Sequence, residues 1–202
     1  MRILAVADRR HRALYDFFDP ERWRDVDLVI SCGDLDPAYL SFLVSVIHAP
    51  LLYVPGNHDQ KYTKNPPEGC DSIDGKVVAV KGIRIGGLGG SMWYNGLDLQ
   101  YTEKQMVKRV KRIIRSAERV GGLDIFVSHA PPKGIHDLSD KCHSGFETFR
   151  HLMETLSPQV FLHGHNHEVY NQRGREDVVS GVRVINACGY HDFQMDFQAE
   201  TY

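Results

Sequence analysis

The sequence predicts an α/β domain in which helices flank mixed β-sheets. Short apolar runs alternate with helical patterns in the first half of the chain, whereas the middle and the end are richer in strands. Polar residues of metal-binding types follow five of the apolar runs at their carboxyl ends. The runs predicted as buried strands span residues 3–7, 28–31, 51–54, 76–80, 83–88, 125–128, 160–162 and 182–186.

Four helices are predicted between these strands, at residues 10–18, 37–47, 103–120 and 145–156. The third has the clearest pattern, because Thr102 and Gln105 form a capping box at its start and a Gly-Gly pair ends it. One apolar stripe runs along this helix and consists of Met106, Val110, Ile113, Ile114 and Ala117.

The composition is that of a folded protein rather than a disordered or membrane-spanning one. The chain has 202 residues, 42% hydrophobic and 25% charged, which predicts a single domain over residues 1–202. A net charge of −2 provides no bulk attraction to nucleic acid or to an anionic membrane. Residues 1–8 are too short for a signal peptide, and His48 and Pro50 interrupt the apolar segment 40–54. Four scattered cysteines fit reduced thiols, so we expect a cytoplasmic protein with no membrane partner.

Five residues with metal-binding side chains lie just beyond predicted strands. They are Asp8, Asp34, Asn57, His129 and His165. Because ligands of open α/β sheets gather beyond the carboxyl ends of strands, we expect all five to meet at one rim.

The donor types at this rim favour a transition-metal centre. The Asp34 carboxylate can bridge two divalent cations, Asn57 adds a neutral carbonyl oxygen, and His129, His165 and His167 supply imidazole nitrogen. Such mixed ligation suits manganese, iron, zinc or nickel better than calcium. Two ions about 3.5–4 Å apart clamp a phosphoryl group, polarise it and generate a hydroxide at neutral pH.

Two residues beside Asn57 are predicted to serve catalysis. His58 is placed to protonate or stabilise the leaving oxygen of an ester. Asp59 could accept a hydrogen bond from the His58 ring and so fix its tautomer.

These motifs resemble those of the calcineurin-like metallophosphoesterases, whose pattern runs D-x-H, G-D, G-N-H-[DE], a later His and G-H-x-H. Four of the five motifs match in order over nearly the full length. The resemblance implies a four-layer α-β-β-α sandwich with a dinuclear metal centre. It implies that Asp8, Asp34 and His167 hold the first metal, and that Asp34, Asn57, His129 and His165 hold the second. His58 falls on the family's catalytic histidine.

Position 10 departs from this pattern, because Arg10 stands where the family has a histidine ligand. A guanidinium cannot coordinate a metal, and a unit charge about 5 Å from a divalent ion costs about 7 kcal/mol at an effective dielectric of about 20. Three outcomes stay open: Arg10 turns outward and binds substrate phosphate, the first metal site is weakened so that one ion is held tightly, or Arg10 replaces that ion and pairs with Asp8. His11 is adjacent and could be a substitute ligand, but on a turn that enters a helix it points about 100° away from position 10.

The leading functional hypothesis is a metal-dependent phosphodiesterase or small-molecule phosphatase with a small phosphorylated substrate. A nuclease is the second reading, supported only by the basic residues of the helix at 103–120. A degenerate binding or scaffold protein is the third, motivated by Arg10. Nucleic acid is therefore a possible but not favoured partner, and the oligomeric state stays open. His163 is expected to pack behind the site, and His143 and residues 92–95 are candidates to border the cleft.

Overall fold

The computed structural model describes residues 1–167 and 174–196, which contain two mixed β-sheets. In the first sheet, four strands run parallel: β1 (Arg2–Ala7), β2 (Leu28–Ser31), β3 (Leu51–Tyr53) and β4 (Asp71–Ser72). A fifth strand, Gly189–Gln194, pairs antiparallel with β1 at the edge.

The second sheet has six strands: β5 (Val77–Val80), β6 (Ile83–Leu88), β9 (Ile125–Ser128), β10 (Val160–His163), β11 (Glu176–Val179) and β12 (Val182–Asn186). Its order is β11-β12-β10-β9-β6-β5, with the two edge strands antiparallel to their neighbours. A separate two-stranded ribbon consists of β7 (Ser91–Met92) and β8 (Gln100–Tyr101). The antiparallel edge strand of the first sheet, Gly189–Gln194, is β13. All eight predicted strands are present to within one residue at each end.

Three of the four predicted helices are confirmed, as α2 (Pro37–Ile47), α3 (Glu103–Arg119) and α4 (Glu147–Leu156). The predicted capping box of α3 is formed in both directions between Thr102 and Gln105.

The helix predicted at residues 10–18 is wrong. Only a 3-10 turn forms there, at Arg12–Leu14, with the His11 side chain accepting from the backbone N–H of Ala13. The following Asp19-Pro20 pair starts a new short helix, α1 (Pro20–Trp23), in which Asp19 is the N-cap. Because a residue that precedes proline avoids the α conformation, this pair separates the two helical segments.

Alternating residues of the central strands face two different layers. In β1, Ile3 and Ala5 face the core between the two sheets, whereas Leu4 and Val6 face the helices. The helix layer on the first sheet is formed by residues of α1 and α2: Trp23, Tyr39, Leu40, Leu43 and Ile47. The layer on the second sheet is formed by residues of α3 and α4: Met106, Val110, Ile113, Ala117, Phe149, Leu152 and Met153. The architecture is therefore the α-β-β-α sandwich that the motifs implied.

Among the described residues, no helix has the length and apolar character needed to cross a lipid bilayer. All four cysteines are free: Cys32, Cys70, Cys142 and Cys188.

Candidate metal centre

Three of the predicted ligands stand in strained backbone at the ends of parallel strands. Asp8 has φ +66°, Asp34 has φ +58° and His165 has φ +69°. A positive φ is uncommon outside glycine and costs on the order of 1 kcal/mol or more, so it persists where the surroundings enforce it. The left-handed conformation turns each chain sharply after its strand, and the side chains of Asp34 and His165 both face His129.

Gly56 and Asp59 hold Asp34 in this position. A Cβ atom on Gly56 would lie 2.0 Å from Asp34 Oδ1, so only glycine fits against the carboxylate. Asp34 Oδ1 accepts a hydrogen bond from the backbone N–H of His58 at 2.8 Å. Asp59 Oδ2 accepts from the backbone N–H groups of Asp34 at 2.7 Å and Gly56 at 2.8 Å.

Four potential ligand atoms converge on one point. His129 Nε2 lies 3.0 Å from Asn57 Oδ1, 3.1 Å from His165 Nδ1 and 3.3 Å from Asp34 Oδ2. Ligand atoms about 2.1 Å from a tetrahedral or octahedral ion lie roughly 3.0–3.4 Å apart. The ligand atoms of Asp34, His129 and His165 are all within 4.8 Å of one another. The spacing fits one divalent cation held by the four residues that the motifs assigned to the second metal.

The outer nitrogens of the two rings fix their tautomers. His129 Nδ1 lies 2.8 Å from the carbonyl oxygen of Cys32, and His165 Nε2 lies 2.7 Å from that of Cys142. A carbonyl only accepts, so each outer nitrogen donates its proton there. In the neutral rings the inner nitrogens then present two lone pairs to each other at 3.1 Å. A cation between them removes this repulsion, and carbonyl partners of this kind are typical of metal-ligating histidines.

The electrostatics of the cluster favour one positive charge at its centre. Burial would lower the pKa of His129, but the Asp34 carboxylate outweighs it and raises that pKa to about 9. Burial and the neighbouring His129 lower the pKa of His165 to about 3. Burial would raise the pKa of Asp34, yet His129 and the His58 N–H leave it below its usual range. The Asp34 carboxylate thus favours a positive charge beside His129, which is the charge that a bound cation supplies.

Asp8 and His167 lie together on the exposed side of this cluster. The Asp8 carboxylate accepts from the backbone N–H of His165 at 2.9 and 3.1 Å, and His167 Nε2 lies 3.2 Å from Asp8 Oδ1. The Asp8 side chain is only 1% exposed, whereas that of His167 is 56% exposed. The hydrogen bond to Asp8 raises the pKa of His167. This half of the site has fewer convergent ligand atoms than the buried half.

Arg10 turns away from these ligands. Its guanidinium lies over the ring of Tyr15, 4.0 Å from the ring centroid. Among the described residues it makes no ion pair with Asp8, so the outcome in which Arg10 replaces the first metal by pairing with Asp8 is not seen. His11 does not replace the missing ligand either, because its ring packs 4.6 Å from that of Tyr190.

His58 and Asp59 differ in exposure and in contacts. His58 is exposed at the mouth of the site. Asp59 is buried, and the bond predicted from the His58 ring to Asp59 is not formed among the described contacts. Burial raises the pKa of Asp59 to about 6. The hydrogen bond from the Gly56 N–H opposes this rise, whereas the charge of Asp34 adds to it. Asp59 thus holds the loop, and the predicted catalytic role of His58 stays a prediction.

Three residues that the sequence analysis named as neighbours of the site lie beside the ligands or behind them. The Asn57 amide donates to the Tyr94 hydroxyl at 3.3 Å, which turns its carbonyl oxygen towards His129. The His143 ring lies 5.2 Å from that of His165, so this loop histidine borders the site. His163 is fully buried and packs behind the site as expected, with its Nε2 2.8 Å from Nδ1 of His136.

The close approach of Gly56 to Asp34 leads to a first prediction. Gly56→Ala should displace the carboxylate and weaken manganese binding by at least about tenfold, since supporting residues around metal ligands contribute 10–100-fold to affinity. The control is Gly75→Ala, because a Cβ there meets no atom within 4 Å although φ is +73°. That variant should lose about 1 kcal/mol of stability and keep its metal. Equal metal affinity in the two variants would contradict the assignment.

Comparison with known proteins identifies the family. The model of the calcineurin-like phosphoesterase superfamily domain matches residues 1–194. The chain therefore belongs to the calcineurin-like phosphoesterase superfamily, whose members are usually metal-dependent phosphoesterases. No curated protein sequence matches the chain significantly.

Solved structures share the fold at low sequence identity. The protein TT1561 of Thermus thermophilus aligns with a TM-score of 0.63 and 17% identity, over 93% of this chain and 88% of that one. GAP50, described as the anchor in the inner membrane complex of Plasmodium, aligns with a TM-score of 0.53 and 13% identity, over 92% of this chain and 70% of that one. These likenesses bear on the fold alone.

Proposed function

We propose that this protein is a metal-dependent hydrolase of small phosphate esters, either a phosphodiesterase or a small-molecule phosphatase. The observation that carries the proposal is the pair of facing ring nitrogens of His129 and His165, 3.1 Å apart, with Asp34 and Asn57 beside them. These facing nitrogens suit a bound cation, and such a cation can make water nucleophilic at neutral pH. Membership of a superfamily of phosphoesterases supports the same function.

Each group of residues at the site would have a distinct role. Asp34, Asn57, His129 and His165 would hold one ion, and Asp8, Asp34 and His167 a second. When bound, such ions polarise a phosphoryl oxygen and make water nucleophilic at neutral pH. His58, exposed beside Asn57, would donate a proton to the leaving oxygen. Asp59 and Gly56 keep Asp34 and the His58 backbone in place.

The size of the adjoining cleft favours a small substrate. A cavity of about 350 Å³ opens where Asp8 and Asp34 reach the surface. Pockets of roughly 300–1,000 Å³ hold small molecules, so this one suits a compact phosphorylated compound. Nucleic acid is not favoured, because the net charge of −2 provides no bulk attraction to it, and Arg109 of the basic helix α3 is paired with Asp74 and stacked on Tyr101.

The metal and the compartment belong to the proposal. Carboxylate, amide and imidazole donors fit manganese, iron, zinc or nickel, with the Asp8–His167 half filling more weakly. Free cysteines fit a reducing compartment, which supports a cytoplasmic location.

Metal removal tests this function directly. We expect protein stripped with EDTA to lose hydrolysis of bis-p-nitrophenyl phosphate and p-nitrophenyl phosphate, and to regain it with manganese, nickel or zinc. Single-stranded DNA in the same panel detects a nuclease. Metal binding with no hydrolysis of any ester would instead indicate a binding protein, a use of the fold for which GAP50, described as an anchor, is a precedent.

A further inference from the structure

The cleft beside the metal centre has two chemically different walls. The metal ligands Asp8 and Asp34 line one part of this cavity of about 350 Å³. Arg10, Tyr15 and Tyr39 also line it and contact one another in turn, so they are grouped as its second wall. The metal ligands therefore share their opening with a cation that does not contact them.

The described part of the chain does not neutralise the charge of Arg10. Asp36, the other carboxylate of the cleft, is paired with Lys61 at 2.8 Å and accepts from the backbone N–H of Ala38 at 2.9 Å. Among the described residues, no carboxylate lies within ion-pair distance of Arg10. Its guanidinium rests on the face of Tyr15 at 4.0 Å. Stacking of this kind leaves the N–H groups at the edge of the guanidinium free to bind an anion with two parallel hydrogen bonds.

The Tyr39 hydroxyl is a second unused group in the same wall. Tyr39 is only 4% exposed, and its hydroxyl oxygen makes no hydrogen bond of normal geometry with a described residue. Burial raises the pKa of this hydroxyl to about 12, and the nearby backbone N–H of His11 and charge of Arg10 oppose the rise. Within the described part of the chain, this neutral O–H donor has no acceptor, and a buried donor without one is destabilising. The hydroxyl oxygen itself has almost no accessible surface, so an anion in the cavity that Tyr39 lines would supply the acceptor only with a shift of the neighbouring side chains.

We propose that this wall binds a second anionic group of the substrate, separate from the phosphoryl group at the metal centre. The Arg10 guanidinium would bind that group along its edge, and the Tyr39 hydroxyl would donate to it. The inference rests on the proposed function and specifies it: the substrate is a small phosphate ester that also carries a phosphoryl or carboxylate group. Arg10 then contributes to substrate selection at the position where the motif pattern of the superfamily has a metal ligand.

Three non-hydrolysable probes separate the two subsites. Methylphosphonate has one anionic group, methylenediphosphonate adds a second phosphonate, and phosphonoacetate adds a carboxylate. Binding to the manganese-loaded protein is measured by isothermal titration calorimetry. We expect Arg10→Ala to lower the affinity for one or both of the two-group probes by about 10–100-fold, which is the contribution of a charge-assisted hydrogen bond. The affinity for methylphosphonate should fall by less than about twofold. The probe whose affinity falls shows whether the second group is a phosphoryl or a carboxylate.

Two further variants sharpen the test. Tyr39→Phe removes only the hydroxyl and should weaken the same probes by about two- to tenfold. Arg12→Ala is the matched control, since Arg12 also lies over an aromatic ring, that of Phe17 at 4.7 Å, but is 74% exposed and outside the cleft. It should bind all three probes as the wild-type protein does.

The contrary outcomes are distinct. Equal weakening of all three probes in Arg10→Ala would overturn the inference, because Arg10 would then contact the phosphoryl group at the metal centre. Unchanged affinities would overturn it as well, and so would a loss of manganese, since removing a cation should not weaken metal binding. Hydrolysis of bis-p-nitrophenyl phosphate by the wild-type protein is scored separately. Its absence, with Arg10-dependent binding intact, overturns only the proposed function.

Discussion

Asp34→Asn is expected to abolish turnover of phosphate esters, by on the order of a thousandfold or more. Asparagine keeps the shape of the side chain but loses the charge, and its amide nitrogen cannot ligate a cation. Asp34 lies 3.3 Å from His129 Nε2, so the substitution leaves one neutral carbonyl oxygen where the centre has a charged carboxylate that can bridge two cations. Metal content by mass spectrometry and hydrolysis of bis-p-nitrophenyl phosphate measure the two effects.

A matched control lies two residues further along the chain. Asp36→Asn removes a carboxylate from the same cleft, but Asp36 caps α2 and pairs with Lys61 rather than facing the ligands. It should cost at most about 1 kcal/mol of stability and leave the metal content unchanged. If Asp34→Asn and Asp36→Asn kept the same metal content and activity, Asp34 would not be the central ligand.

His58→Ala is expected to lower turnover by about 10²–10⁴-fold while metal content stays constant. The only described bond from His58 to the metal ligands is its backbone N–H to Asp34 at 2.8 Å, which alanine retains. The loss should depend on the leaving group, because a poor alkoxide leaving group needs a proton more than p-nitrophenolate does. Turnover of a methyl phosphate ester should therefore fall more than turnover of a p-nitrophenyl phosphate ester.

The control for this variant is His151→Ala, since His151 is exposed on α4. It should match the wild-type protein on both esters. An equal loss on the methyl and nitrophenyl esters in His58→Ala would rule out proton donation to the leaving group.

The parts of the fold that follow from local chemistry were predictable. In β1, Ile3 and Leu4 face opposite apolar layers, so the strand reads as a continuous apolar run. The ligand cluster was predictable because Asp34, His129 and His165 each follow a parallel strand, and such ends meet at one rim. The capping box made α3 recognisable from four residues.

The remainder depends on contacts between distant residues. The carbonyl groups that fix the histidine tautomers belong to Cys32 and Cys142, and no property of a cysteine side chain marks its backbone as an acceptor. Strand β13 was missed because it contains polar residues, among them Asp192, which forms an ion pair with Arg2 on β1 at 2.7 Å. The direction of Arg10 depends on Tyr15, and the predicted helix at residues 10–18 gave no means of placing that ring.

Anomalous diffraction from a crystal of the manganese-loaded protein tests the central claim most directly, because it locates the ion itself. We predict an anomalous peak about 2.0–2.3 Å from His129 Nε2, His165 Nδ1 and Asp34 Oδ2, with weaker density beside Asp8 and His167. Manganese bound elsewhere in the molecule, with no peak between the two histidine rings, would contradict it.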